Sequence, residues 1–527
     1  MLRMFPINCW RIGGCLFSRQ LFFSSSINSK LNYSTTKTST ILTDDKLTGQ
    51  FYQSSFDSFE TMIKDENLYA ESCILLEDTT KKLEFISKGL MEQILDSPID
   101  KIYKYCLKSH RYCLIKLNDY SMFFKKNKKN FLHQSFPVNS RVFTILPSQF
   151  ITDNLEKEPE MIPDLLNNRQ SWWKLINSTI QEESDSFIDT LANSVILNEL
   201  ETKLRFFLNN QLSELICDGP FNQLRLSPFG SSVNGFGWNQ SDLDLFLSPQ
   251  SSPRIQDNVY GLNLVSSKTM VGDKLDTQRI LNIVTGYLKD FVPGVQNVAP
   301  ILMARVPIIK FASTSCGLDG DLTFFPDSRD SGIDIAHVLH EFSRLDIRVI
   351  KLVVFTKLWA MQQIITRSAP GVWINSFGLM MLVVHFLQIR SPPLLPPISQ
   401  LNVIYDPYQA RTSTKKTNDL TYDETTPFMT LLTEFLHHLA TFDFDNYGCN
   451  VMDGLVVTKP TSSPLYIENP THRHLNVCKN ITKNELTKLI LIANASHSSL
   501  CKGNHVSQLL KPFSRKSINV EDFFKED

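Results

Sequence analysis

The spacing of hydrophobic residues changes along the chain, and the changes predict different kinds of structure. Short apolar runs at residues 72–76 and 112–117 predict strands, while helical spacing at 83–95 and 99–108 predicts two helices between them. This mixture indicates a small α/β module over residues 68–150.

Longer helical patterns flank a second region of short strands. Apolar residues recur with a helical period over residues 172–216, strand-like segments occupy residues 224–325, and helical spacing resumes beyond residue 333. A Pro-rich elbow at residues 391–397 interrupts these last helices. We therefore expect a sheet-containing domain followed by a helical one.

The most continuous apolar stretch is residues 378–387, which is shorter than the roughly 18–20 residues that cross a membrane. It also contains His385. We interpret the stretch as a buried helix and His385 as a core histidine, and we predict no membrane span.

The composition is that of a soluble globular protein. The 527 residues suggest about three domains. Hydrophobic residues make up 42% and charged residues 20%, which excludes gross disorder. The net charge of -1 means that any nucleic-acid binding must use local basic patches. The 10 cysteines lack CxxC spacing, so we interpret them as reduced thiols rather than zinc ligands.

The first 43 residues contain no Asp or Glu, whereas five basic residues are spread among Ser, Phe and Leu. These are Arg3, Arg11, Arg19, Lys30 and Lys37. The pattern predicts a mitochondrial transit peptide over residues 1–45 and a location in the mitochondrial matrix. A merely basic, disordered tail is the alternative.

A lysine-rich segment at residues 123–131 interleaves aromatic residues with four lysines, Lys125, Lys126, Lys128 and Lys129. Lysines attract phosphate and aromatic rings stack on bases, so the segment has the chemistry of a single-stranded RNA surface. A solvated lysine loop accounts for it equally well. Both interpretations stay open.

The residues with the clearest chemistry are Asp242 and Asp244. In a strand, residues two apart lie on one face, so both carboxylates would project together while Leu243, Leu245 and Leu247 enter the core. Two crowded carboxylates repel each other unless cations offset their charge. The pair therefore predicts a site for Mg²⁺ or Mn²⁺ ions.

Two divalent ions are what nucleotidyl transfer requires, one at the attacking hydroxyl and one at the triphosphate. The small residues Gly230 and Ser231, upstream, would allow backbone N–H groups to approach phosphates. A third carboxylate usually completes such a site. Asp319 and Asp321 share one face of the next strand, and their spacing does not choose between them.

Gly230-Ser231, ten intervening residues and then Asp-Leu-Asp resemble the signature of the DNA polymerase β nucleotidyltransferase superfamily. Residues 306–324 resemble a segment of the noncanonical poly(A) polymerase and terminal uridylyltransferase family, in particular of its mitochondrial members, and this favours Asp321 as the third acid. Further similar strings lie at residues 371–396 and 462–477. The resemblance covers roughly residues 190–500.

The resemblance implies roles for residues in the helical region. Lys357 stands where relatives have a triphosphate-binding cation, although Met361 replaces a frequent second lysine. Ser376 matches a phosphate-contacting serine and Phe377 an aromatic residue that stacks on the incoming base. Without the family, Lys357 would be a snorkelling helix lysine and Phe377 a core residue.

The string at 462–477 resembles the family's nucleotide-recognition motif, which implies nucleotide contacts for Glu468, Asn469 and Asn476. Uridylyltransferase relatives have His immediately before the Asn, where this chain has Leu475, so ATP is favoured over UTP. His472 and His474 lie close enough to leave the choice open.

The resemblance implies an α+β fold in which a degenerate RNA-recognition-motif (RRM)-like module precedes a polymerase β-like nucleotidyltransferase domain. The nucleotidyltransferase domain would span 190–330, a helical PAP-associated domain 331–500 and a C-terminal tail 501–527.

The implied activity is a poly(A) polymerase that uses ATP, RNA 3′ ends of mitochondrial transcripts and two Mg²⁺ or Mn²⁺ ions held by Asp242, Asp244 and Asp321. A uridylyltransferase and a catalytically silent RNA scaffold are the alternatives, and a homodimer is left open.

Overall fold

The structure, a computed structural model, describes residues 56–80, 82–121, 123, 132–134, 140–145, 160–178, 183–249, 274–325, 332–367, 369, 371–401 and 422–513. The predicted transit peptide and the lysines Lys125, Lys126, Lys128 and Lys129 lie outside these residues.

The first part of the described chain forms a five-stranded sheet in the order β2-β3-β1-β5-β4. Strand β1 is antiparallel to β3 and parallel to β5. The elements are α1 (Phe56–Glu71), β1 (Cys73–Asp78), α2 (Lys88–Leu95), β2 (Ile99–Leu107), β3 (His110–Leu117), β4 (Leu132–Gln134) and β5 (Val142–Ile145).

The prediction of a helix at residues 99–108 is wrong, because Ile99–Leu107 is strand β2. It forms an antiparallel hairpin with β3 in which Leu107 pairs with His110, and Lys108 turns the chain with a φ of 57°. Aromatic and branched residues fit a pleated surface, and pairing with β3 outweighs the weak helical period. The two predicted strands are confirmed, and Leu83–Phe85 and α2 account for the other predicted helix.

The next elements build a second five-stranded sheet in the order β6-β7-β10-β9-β8. Strands β7 and β10 are parallel, and the remaining neighbours are antiparallel. The elements are α3 (Leu165–Arg169), α4 (Ser171–Asn177), α5 (Ser184–Val195), α6 (Glu199–Ile216), β6 (Leu224–Pro228), β7 (Leu243–Pro249), α7 (Lys274–Phe291), β8 (Val295–Ile301), β9 (Ile308–Ser313) and β10 (Asp319–Phe324). As predicted, Leu243, Leu245 and Leu247 are fully buried.

Helices dominate the last part of the described chain. The elements are α8 (Gly332–Leu345), α9 (Ile347–Gln362), α10 (Ser376–Ile389), α11 (Phe428–Thr441), β11 (Tyr447–Asn450), β12 (Leu455–Thr458) and α12 (Lys483–Cys501). Phe187 and Leu191 of α5 pack in the same core, which also includes Leu509 and Leu510 beyond the predicted boundary at residue 500. The helical core therefore gathers segments from both sides of the second sheet.

Helix α10 is the buried helix expected from the apolar stretch. His385 is fully buried, and its Nε2 donates a hydrogen bond to the Leu455 carbonyl at 3.0 Å. Burial lowers the pKa of His385 to about 4, so it is a neutral core histidine, as predicted. Across the described residues, no helix has both the length and the apolarity of a membrane span.

Both faces of the first sheet are covered. Leu75, Tyr112 and Leu114 share a core with Phe207 of α6, while alternate residues such as Ile74 pack on the side of α2. The order β2-β3-β1 is that of the first three strands of an RRM, but the parallel β5 is not. The RRM-like character of the module therefore stays a prediction.

We predict that Leu114→Ala destabilises the protein. Leu114 is fully buried between the first sheet and α6, so the substitution leaves a cavity and should lower the free energy of unfolding by about 2–5 kcal/mol. Urea unfolding measures the change. Leu68→Ala, at a side chain that is 51% exposed, should shift it by less than about 0.5 kcal/mol, and equal losses in the two variants would contradict the packing.

Candidate active site

The loop after strand β6 brings its backbone against a carboxylate. Gly230 has a φ of 64°, and a Cβ at this position would lie 2.4 Å from Oδ2 of Asp244. Only glycine avoids both the strain and the collision. The Ser231 backbone donates a hydrogen bond to the Asp244 carboxylate, and the Phe229 N–H donates to the Asp244 carbonyl at 3.0 Å.

The strand register brings a second carboxylate to Asp244. In the parallel pair β7–β10, Asp321 is the partner of Asp244. Asp242 lies one residue before β7 and is exposed, and Asp319 pairs with Ala312 at the outer end of β10. The register thus places Asp321, rather than Asp319, beside Asp244.

Lys310 of strand β9 is the cation of this cluster. Its Nζ lies 2.7 and 2.9 Å from the two carboxylate oxygens of Asp321 and 3.8 Å from Oδ2 of Asp242. Although burial opposes it, the hydrogen bond to Asp321 and the charges of the three aspartates raise the pKa of Lys310. The sequence interpretation missed Lys310, because only the antiparallel register of β9 and β10 places it opposite Asp321.

The carboxylates themselves resist ionisation. Burial, followed by the charges of Asp321 and Asp242, raises the pKa of Asp244 to about 7, although Arg205 and the Ser231 N–H oppose the shift. Burial also raises the pKa of Asp321, against the hydrogen bond from Lys310. Three carboxylates therefore lie near two cationic side chains, Lys310 and the buried Arg205.

Asp242, Asp244 and Asp321 fit a hard divalent cation, because they supply oxygen ligands around a position where Lys310 already contacts two of the three. In the part of the chain that the structure describes, no three acidic, His or Cys side chains converge as closely as metal ligands do. The Lys310 ammonium is the positive group that contacts both Asp321 and Asp242 in the structure.

Lys357 contacts the same loop from the helical side. Its Nζ donates to the carbonyl of Phe236 at 3.1 Å, and burial lowers the pKa of Lys357 to about 8. The lysine is therefore a link between helix α9 and the Gly230 loop.

Ser376 and Phe377 lie at the first turn of α10. Ser376 is exposed, next to the N-cap Asn375, and Phe377 is partly buried against the helical core.

The amide of Asn476 organises the loop around it. Its Nδ2 donates to Ser463 Oγ at 3.0 Å and to the Leu465 carbonyl at 2.8 Å. Its Oδ1 accepts from the N–H groups of Ile467 at 3.1 Å and Cys478 at 2.9 Å. These four bonds use the full capacity of the amide, so Asn476 determines the shape of the loop.

Glu468 and Asn469 are also engaged within this loop. Glu468 lies 2.9 Å from Nε of Arg473, and Asn469 Oδ1 accepts from the N–H groups of Thr471 and His472 at 3.0 Å each. The sequence predicted direct nucleotide contacts for both residues. The structure assigns them a role in loop geometry without testing those contacts.

The loop of residues 463–478, which contains Glu468, Asn469 and Asn476, packs on the start of helix α10. A Cβ at Gly378 would lie 2.6 Å from Sγ of Cys478, and the Thr482 N–H donates to the Val372 carbonyl at 3.0 Å. The predicted site residues therefore fall into two groups. One group consists of Gly230, Ser231, Asp242, Asp244, Asp321 and, through Phe236, Lys357. The other consists of Ser376 and Phe377 at the start of α10 and of Glu468, Asn469 and Asn476, whose loop reaches α10 through Cys478.

Residues 185–344 match the family model described as "Poly(A) RNA polymerase, mitochondrial-like, central palm domain". The chain is 31% identical over 379 residues to the human mitochondrial poly(A) RNA polymerase, covering 69% of this chain and 63% of the relative. It is 34% identical over 325 residues to the Drosophila melanogaster protein of the same name, covering 59% and 52%. The chain thus spans less than two thirds of these relatives' length.

The fold is similar to that of solved structures. The crystal structure of mtPAP in complex with UTP matches with a TM-score of 0.70 and 27% identity, over 86% of this chain and 100% of that chain. The complex of mtPAP with ATPγS gives 0.70 and 26% over the same shares. These likenesses confirm the predicted α+β fold with a nucleotidyltransferase core, and they leave the RRM-like detail untested.

We predict that Asp244→Asn stabilises the metal-free protein at high pH. The fold raises the pKa of Asp244 from 3.8 to about 7, so ionising it opposes folding increasingly as the pH rises between these values. In EDTA, the variant should gain roughly 2–4 kcal/mol at pH 8 and progressively less towards pH 4.

Urea unfolding at several pH values measures this difference. Asp319→Asn, at an exposed position two residues from Asp321, should give a smaller gain. A variant at Asp244 that is less stable than the wild type at pH 8, or a gain independent of pH, would contradict the burial of this charge.

Proposed function

Because the chain belongs to the mitochondrial poly(A) polymerase-like family of nucleotidyltransferases, we propose that it is a template-independent polynucleotide adenylyltransferase. It adds AMP from ATP to RNA 3′ ends and releases pyrophosphate. The observation that carries the proposal is the convergence of Asp242 and Asp321 on one cation, with Asp244 beside Asp321 and the Gly230 turn.

Asp242, Asp244 and Asp321 would hold two Mg²⁺ or Mn²⁺ ions, which would supply Lewis-acid activation of the RNA 3′ hydroxyl and charge neutralisation at the triphosphate. Asp321 accepts the proton of the attacking hydroxyl. The backbone around Gly230 and Ser231 faces the phosphates, since no side chain larger than Ser stands in that turn. Before the ions bind, Lys310 offsets part of the negative charge.

The helical side of the site binds the nucleotide. Lys357, at the Gly230 loop, neutralises the triphosphate, Ser376 contacts phosphate and Phe377 stacks on the base. Glu468, Asn469 and Asn476 shape the loop that faces the base. Their contacts with Ile467, Thr471 and Arg473 of the same loop support a rigid loop, which lowers the entropic cost of nucleotide binding.

Leu475, which stands where uridylyltransferase relatives have His, favours ATP as the substrate. The crystal structures of mtPAP contain UTP, GTP, CTP or ATPγS, so binding alone does not distinguish the bases in that relative. The preference must therefore be measured as turnover. Addition of U is the alternative activity.

The names of the relatives and the acid-free first 43 residues support a mitochondrial protein, and we place it in the matrix. The domains proposed from the sequence span 68–150, 190–330 and 331–500, and the segment 501–527 adds Leu509 and Leu510 to the core of the helical domain. RNA contacts of the first module would use Lys125, Lys126, Lys128 and Lys129, since the faces of its sheet are buried.

The test incubates the purified protein, without residues 1–45, with a 3′-hydroxyl RNA, Mg²⁺ and each nucleotide separately. Long products with ATP alone would support a poly(A) polymerase. Extension chiefly with UTP would replace it with a uridylyltransferase. Folded protein that binds RNA but does not extend it with any of the nucleotides, in Mg²⁺ or Mn²⁺, would favour a catalytically silent RNA scaffold.

We predict that Asp321→Ala loses activity and Asp319→Ala retains it. The two residues share a face of β10, but Asp321 alone pairs with Asp244, so its loss should lower kcat by roughly a hundredfold or more. Initial rates of AMP incorporation, corrected for folded protein, measure the effect. Similar losses in the two variants would contradict the assignment of the third carboxylate.

A further inference from the structure

Arg205 of helix α6 lies beneath the candidate active site and is only 1% exposed. Its Nη1 donates to Ser232 Oγ at 3.0 Å and to the Asp242 carbonyl at 3.1 Å, and its Nη2 donates to the Ser241 carbonyl at 2.5 Å. Ser232 ends the turn Gly230–Ser232, and Ser241 and Asp242 lead into β7. One planar guanidinium therefore joins the two chain segments that form the centre of the site.

The buried charge of Arg205 attracts the carboxylates of Asp242 and Asp244. Burial lowers the pKa of Arg205 to about 10, whereas Glu201, Asp244 and Asp242 oppose that shift, so the group is protonated at neutral pH. A buried charge is less costly where hydrogen-bond acceptors and opposite charges lie near. The two Nη atoms of Arg205 have such acceptors, whereas its buried Nε has no hydrogen-bond partner among the described residues. The planar fork still reaches Ser232 and the backbone of residues 241–242 together, which the single ammonium of a lysine would not.

The same helix also holds the third carboxylate in place. Glu201, one turn before Arg205, accepts hydrogen bonds from Arg169 Nε at 2.8 Å and Nη2 at 2.9 Å. Arg169 in turn donates to the Gly317 carbonyl, in the turn before strand β10. Helix α6 thus anchors the strand that carries Asp321 through one ion pair, and the Asp242 segment through Arg205.

We propose that Arg205 is a positioning residue for nucleotidyl transfer, because its guanidinium fixes the Gly230–Ser232 turn against the backbone of Asp242. This holds the backbone that carries Asp242 and Asp244 in one arrangement, in which their carboxylates would bind the metal ions. Arg205 itself contacts neither RNA nor nucleotide. The catalytic part of the inference rests on the proposed function, whereas its effect on metal binding is measurable without catalysis.

The test measures Mn²⁺ binding to nucleotide-free protein by calorimetry, and the Mn²⁺ concentration that half-saturates AMP incorporation. Arg205→Met removes all three hydrogen bonds and should weaken both by about tenfold or more, with a lower kcat. Arg205→Lys keeps the charge but not the fork, so it should lie between Arg205→Met and the wild type. Asp242→Ala identifies the binding that belongs to the site.

Arg141→Met is the matched control. Arg141 is also buried, donates to the carbonyls of Ala70 at 3.0 Å and Glu71 at 2.6 Å, and pairs with Glu214 of the same helix α6. None of these partners belongs to the candidate active site. This control should lose stability but keep the Mn²⁺ affinity of the folded molecules.

Circular dichroism measures the folded fraction of each variant. If Arg205→Met does not fold, Ser232→Ala removes one of the three acceptors alone and should weaken Mn²⁺ binding by a few-fold. The Mn²⁺ affinity should then decrease in the order wild type, Ser232→Ala, Arg205→Lys. Wild-type Mn²⁺ affinity and metal requirement in the folded Arg205 and Ser232 variants would overturn the proposal.

Failure of the proposed function would look different. In that case the wild type would extend no RNA, yet Arg205 substitutions would still weaken its Asp242-dependent Mn²⁺ binding, which would support the positioning role. If the wild type extends RNA and the Arg205 variants match it in both assays, the positioning role alone fails.

Discussion

The mutual repulsion of carboxylates gathered in a partly buried site is the constraint on which the rest of the structure depends. Asp244 and Asp321 are neighbours in a parallel strand pair, with Asp242 one residue before the strand, and burial strengthens their repulsion. Lys310, the buried Arg205 and the Ser231 N–H beside Asp244 offset part of the repulsion. The three carboxylates still outnumber the two cationic side chains, which suits the cluster to a divalent cation.

Helix α6 connects this site to the whole protein. One side of it packs against the first sheet, through residues such as Phe207. Its Arg205 contacts the segments around Asp242 directly, and its Glu201 reaches the turn before β10 through Arg169. The first module therefore supports the catalytic sheet, because the sheet face that an RRM would offer to bases is in the interior. Lys357 of helix α9 joins the Gly230 loop to the helical core.

Local periodicity allowed part of this to be predicted from sequence. Alternating Leu243, Leu245 and Leu247 identified the strand, the spacing of Asp242 and Asp244 indicated their chemistry, and the apolar stretch around His385 predicted a buried helix. Long-range pairing could not be predicted in this way. It made 99–107 a strand, brought Lys310 to the acids through the register of β9 and β10, and brought Arg205 there through helix α6. Asp321 is different, because the resemblance of residues 306–324 to the family favoured it over Asp319 before its register with Asp244 was known. The spacing of Lys310 and Arg205 in the sequence does not indicate their partners.

The most direct measurement of the central claim is the anomalous scattering of Mn²⁺ in crystals of the protein grown with a non-hydrolysable ATP analogue. Anomalous peaks bounded by Asp242, Asp244 and Asp321 are the expected result. Crystals that contain the nucleotide but show no Mn²⁺ at these carboxylates would contradict a metal-dependent nucleotidyltransferase site.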